Sequence, residues 1–91
     1  MLEKVKLALR ITTDAFDSEL QELIEAAKLD LGIAGVVVPT EIDAIVFRAI
    51  TTYCKIHFGE PDEYDRLKAS YDEQKAQLSM ATGYTAWIDQ M

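Results

Sequence analysis

The stretch Asp14-Ala15-Phe16-Asp17-Ser18-Glu19-Leu20-Gln21-Glu22-Leu23-Ile24-Glu25-Ala26-Ala27-Lys28-Leu29-Asp30-Leu31-Gly32 decides the fold class. Phe16, Leu20, Leu23, Ile24, Ala27 and Leu31 recur at the three- and four-residue spacing that lines up one face of an α-helix. Asp17, Glu19, Glu22 and Glu25 come early, where negative charge suits the positive end of the helix dipole, and Lys28 comes late. Gly32 follows the last apolar residue and reads as a left-handed cap. No strand period competes with this pattern.

Before this helix, Leu2, Val5 and Leu9 carry the same spacing, and Ile11 extends the apolar run. A first helix is therefore predicted over Leu2 to Leu9. Thr12, Thr13 and Asp14 end it, because their short polar side chains bond nearby backbone and favour turns. After the decisive helix comes a connector, Ile33-Ala34-Gly35-Val36-Val37-Val38-Pro39. Its three valines favour extended backbone, and Pro39 keeps Val38 out of the helical region. The connector can be a crossing loop, half of a small hairpin, or a strand that pairs with another chain.

A third helix is predicted from Thr40, with Thr40 and Asp43 approximating a capping box. Its stripe is Ile42, Ile45, Val46, Ala49, Ile50 and Tyr53, widened by Phe47 and Ile56. A helix this apolar around its circumference belongs at the centre. Gly59 and Pro61 end it. A fourth helix is predicted from about Asp62 to Ser79, with the thinner stripe Tyr64, Leu67, Tyr71 and Leu78, so it lies outside. Residues 1–79 thus form one all-α domain, a compact bundle of about four helices with a short extended connector between the second and third. Residues 80–91 form an aromatic C-terminal tail with Tyr84, Trp87 and Ile88.

The chain has 91 residues, 49% of them hydrophobic and 27% charged, a globular balance that fits a single domain. A core this small is marginal, and partners or further copies would stabilise it by mass action. No apolar run reaches the length of a membrane span, and the charged start does not read as a signal peptide, so the chain is expected to stay where it is made. One cysteine, Cys54, precludes an internal disulfide and fits a reducing compartment.

The net charge of −7 argues against nucleic acid as a partner. The nine basic residues are scattered, and the nearest thing to a patch, Lys4-Lys6-Arg10, reads as a solvated helix face. Cys54 and His57 can share a helix face, yet a metal site needs more ligands, and a half-buried thiol with a histidine near a helix end explains both. The acidic runs Glu60-Pro61-Asp62-Glu63 and Asp72-Glu73 lack the spacing of a calcium loop. Gly32 and Gly35 are not followed by the Lys-Ser or Lys-Thr of a phosphate loop. Tyr64, Tyr71 and Tyr84 lack the cationic groove of a base-stacking platform. No cofactor, metal or catalytic residue is expected, and the chain does not read as an enzyme. The valine connector and the aromatic tail remain, each placing apolar surface where a small monomer has little to cover it. Val36, Val37, Val38, Tyr84, Trp87 and Ile88 are therefore the candidate protein-interface residues.

The order of these features resembles a family. Leu2-Glu3-Lys4-Val5-Lys6-Leu7-Ala8-Leu9-Arg10-Ile11, the acidic turn Asp14-Ala15-Phe16-Asp17, and Glu19-Leu20-Gln21-Glu22-Leu23-Ile24-Glu25-Ala26-Ala27-Lys28 resemble the opening of the head–tail connector (adaptor) proteins of tailed bacteriophages and prophages, often labelled DNA-packaging proteins. Ala49-Ile50-Thr51-Thr52-Tyr53 and His57-Phe58-Gly59 match where that family has an apolar helix ending in aromatics. The resemblance spans Met1 to Leu78; the tail has no counterpart in it. It implies an all-helical subunit of a homo-oligomeric ring, commonly a dodecamer, beneath the portal at the capsid vertex. The implied partners are the portal and the stopper or tail-completion proteins, with no membrane and no sequence-specific nucleic acid. The implied location is the virion, after assembly in the bacterial host cytoplasm. On this resemblance the valines are expected to touch a neighbouring subunit and the tail to dock on portal or stopper. A small regulatory or antitoxin-like protein-binding module is the alternative.

Overall fold

In the computed structural model, residues 1–38, 42–58 and 62–80 are described. They form four helices: α1 (Leu2–Leu9), α2 (Asp17–Ile33), α3 (Ala44–His57) and α4 (Tyr64–Met80). There is no strand among the described residues. The starts of α1 and α3 share a groove with the late part of α2, while the ends of α1 and α3 share another with the start of α4. The helices therefore run up, down, up and down.

Helix α3 packs against all three others, as its broad apolar surface predicted. Val46, Ala49, Ile50 and Cys54 are fully buried on it. They meet Val5 of α1, Ile24, Ala27 and Leu31 of α2, and Tyr71 and Leu78 of α4 in one core. Burying a side chain such as Leu31 or Ile50 stabilises the fold by about 1.5–3 kcal/mol. The predicted stripe needs one correction. Ile45 is 58% exposed: it sits in the first turn of α3, which begins at Ala44, four residues later than the sequence pattern suggested, and its neighbour Val46 takes the buried side. Asp43 is the observed cap: its carboxylate accepts a hydrogen bond from the Val46 amide at 2.9 Å. Thr40, the predicted cap, lies outside the described residues, as do Pro39, Gly59 and Pro61.

The end of α2 also differs from expectation. Gly32 stays helical, and the left-handed glycine is Gly35, with φ of 92°. The Val36 amide donates to the Leu31 carbonyl at 2.9 Å and the Gly35 amide to that of Gly32 at 3.0 Å. This paired closure satisfies carbonyls that a helix end otherwise leaves orphaned. It also turns Val36 back onto Leu31 in the core. Helix α1 closes the same way, with the Ile11 amide on Lys6 and the Arg10 amide on Leu7. There the left-handed residue is Arg10, with φ of 60°.

Lys6 corrects the solvated-face reading of Lys4-Lys6-Arg10. It is buried, and its ammonium lies 2.8 Å from Asp14 Oδ1 and 2.9 Å from Asp17 Oδ1. The two carboxylates raise the Lys6 pKa, and the Lys6 ammonium in turn holds Asp14 below the usual carboxylate range. One lysine thus ties α1 to the following turn and to the first residue of α2.

Candidate protein interface

The sequence nominated three valines, and the structure separates them. Val36 is 4% exposed and belongs to its own core. Val38 packs partly against that core. Val37, at 48% exposure, is the one turned outward. Tyr84, Trp87 and Ile88 lie outside the described residues.

Val37 is not isolated at its end of the bundle. Helix α2 ends just before it, and Leu29 and Ile33, one turn apart on that helix, are 71% and 87% exposed. Their spacing puts them on one face, opposite the buried Ile24, Ala27 and Leu31. Ile45 opens α3 and Met80 closes α4, both largely exposed. The sequence pattern does not single out Leu29 and Ile33: Leu29 falls off the α2 stripe, and Ile33 reads as connector although α2 runs through it. Their signal was present in composition: α2 carries two large aliphatics that the stripe does not need. Scattered apolar residues on a surface are ordinary, and several toward one end of a small bundle make that end the candidate interface.

The same end holds a groove of about 540 Å³, lined by Met1, Lys4 of α1, Lys28 of α2, and Ile42, Asp43, Ala44 and Phe47 around the start of α3. Lys28 is 3.4 Å from Glu25 one turn earlier.

Between α2, α3 and α4 lies a polar cluster. Tyr71 donates its hydroxyl hydrogen to Asp30 Oδ2 at 2.5 Å, and the Lys75 ammonium reaches the same oxygen at 3.2 Å. Burial would push the Asp30 carboxyl up, but the Tyr71 hydroxyl, the Lys75 ammonium and the charge at His57 together hold it below its ordinary value. Burial, reinforced by that carboxylate, raises the Tyr71 phenol. The cluster works as a strut. It locks α4 to α2 across the helix between them, which no helical period could announce.

Cys54 and His57, three residues apart, do not form a site. Cys54 is fully buried and its thiol is pushed up to about 11 by burial, so it is protonated at neutral pH and unreactive. His57 is exposed, its ring 4.3 Å from that of Tyr53. Tyr53 in turn meets Tyr71 edge-on at 5.4 Å, so Tyr71 is a core-edge residue instead of a stacking platform. Among the described residues no three His, Cys, Asp or Glu side chains gather as metal ligands. No helix among them is long and apolar enough to cross a membrane.

The sequence profile of the phage connector proteins matches residues 1–85. The chain belongs to the phage connector protein family. It is a structural connector protein of a bacteriophage head–tail junction. No curated protein and no solved structure matches the chain. The regions on which the sequence resemblance rested, α1 through α3 and the turns between them, fall within the matched range.

Proposed function

We propose that this connector protein is a subunit of an adaptor ring seated under the portal, joining the head to stopper or tail-completion proteins once DNA packaging ends. The observation that carries the reading is the cluster of exposed aliphatics at one end of the bundle, Leu29, Ile33 and Val37, on a chain of the connector family. A ring closes through a head-to-tail interface, which pairs two different surfaces of the same subunit. In this reading Leu29, Ile33 and Val37 form one of them against a neighbouring subunit. The segment with Tyr84, Trp87 and Ile88 docks on portal or stopper, where aromatic side chains make strong anchors. The protein then acts by binding and position, without catalysis or a cofactor, and resides in the virion at the portal vertex.

Light scattering of the purified chain, alone and with its cognate portal, tests this. A ring-sized mass, or entry into the portal complex, is expected. A monomer or dimer indifferent to portal rejects it. Trp87→Ala is expected to weaken particle association with helix content unchanged; unaltered association removes the tail from the interface.

A further inference from the structure

Going beyond that reading, we propose that in the free subunit the groove at the start of α3 holds the chain's own segment Tyr84–Ile88, with Trp87 as its anchor, so that the docking tail is sheltered until portal or stopper displaces it.

Geometry brings the two together. Tyr53 of α3 and Tyr71 of α4 are in ring contact at 5.4 Å, and the helices are antiparallel. Nine residues back along α3 is Ala44, and nine residues on along α4 is Met80. Each step is about 13.5 Å of helix. The end of α4 and the mouth of the groove therefore lie at the same end of the bundle. From Met80 to Trp87 is seven residues, a span of at most about 25 Å. A helix with its side chains is about 10–12 Å across, so the groove is within reach.

Chemistry matches as well. Ile42 and Phe47 are only partly covered by the core and offer apolar surface. The groove's 540 Å³ is of the size that accepts large aromatic groups. Lys4 and Lys28 supply positive charge beside it, and Asp89 follows Ile88 in the tail. The groove's own acid, Asp43, points its carboxylate at the Val46 amide and caps α3. An aromatic, apolar and then acidic segment suits an apolar groove flanked by lysines.

Trp87 is the single tryptophan, so its fluorescence reports on the tail alone. Acrylamide quenching is measured on the full-length chain at a concentration where light scattering gives the mass of one chain. The expected result is quenching several-fold weaker than in urea. The variant Lys4→Glu/Ile42→Ser is expected to restore quenching to the unfolded level, with unchanged circular dichroism. Three results overturn the proposal: a Trp87 as quenchable in buffer as in urea; protection that survives the groove variant; or protection that appears only as concentration and mass rise together, which places the tail in a second copy. None of these needs portal, so this proposal and the adaptor-ring reading fail separately.

Discussion

The two ends of the bundle are built differently. At the end where α1 turns into α2 and α3 hands over to α4, the chain closes on itself. Lys6 gathers Asp14 and Asp17, and Phe16 meets Phe58 edge-on with ring centroids 5.4 Å apart. At the opposite end, Ile33, Val37, Ile45 and Met80 all face outward, and a groove opens beside them. The first end joins its elements through these local pairs and leaves only Leu7, Phe16 and Tyr64 exposed among its large hydrophobics. The second leaves more aliphatic surface exposed among the described residues, which is what the proposed ring would need of it.

Substitutions can break or sharpen that contrast. The largest effect is expected at the shared core, which both ends depend on. Ile50→Ala removes a fully buried side chain where α3 meets the other helices, and should cost about 2–5 kcal/mol in urea unfolding. At the open end, Asp43→Ala removes the α3 cap and should cost about 1 kcal/mol, read as a lower unfolding midpoint. At the closed end, Arg10→Gly relieves a left-handed backbone that a side chain disfavours, and should raise stability by about 1 kcal/mol in the same assay. A loss instead would show that the arginine side chain holds this corner more firmly than its backbone strains it.

Acid sharpens the comparison further. Asp14 and Asp30 both have native pKa values lowered from the ordinary one. Unfolded, each binds a proton near pH 3.9, before the native state does. Their contribution is therefore complete above that pH and is lost as pH falls through the lowered native values. Thermal melts from pH 6 to 2 should show stability falling mainly below about pH 4. Lys6→Met should flatten the part of that slope owed to Asp14. The smallest effect on stability is expected from Ile33→Ser, within about 0.5 kcal/mol, since the residue is 87% exposed. Its effect on assembly should be the reverse: a reduced share of chain in the ring or portal complex by light scattering. If stability drops and assembly does not, Ile33 belongs to the fold and the open end is not the interface.

Much of the fold was legible before any coordinates. The α2 stripe and the α3 stripe set the bundle because helical spacing is a local property, read within a few turns. The polar turn after α1 was legible for the same reason. What periodicity misplaced were ends and exceptions. In sequence Gly32 reads as the cap because it follows the last residue of the stripe. The bundle selects Gly35 because closing there folds Val36 onto Leu31. Lys6 looked solvated because a lone lysine on a helix usually is. It is buried because Asp14 and Asp17 come from a turn whose path depends on how α1 and α2 pack.

The candidate interface was legible in part. Apolar surplus in a small acidic domain pointed to protein partners, and of the three nominated valines Val37 is the one the fold leaves exposed. Which valine faces outward, and that Leu29 and Ile33 lie near it, depended on the tertiary structure. The sequence alone determined an all-helical pattern with a central third helix, since composition and spacing act over a few residues. Only the tertiary structure decided which caps close the helices, that Asp30 braces Tyr71 and Lys75 across the bundle, and that most of the exposed large aliphatics lie toward one end. Those outcomes rest on contacts between residues far apart in the chain, and no local pattern encodes which of several equivalent residues will meet.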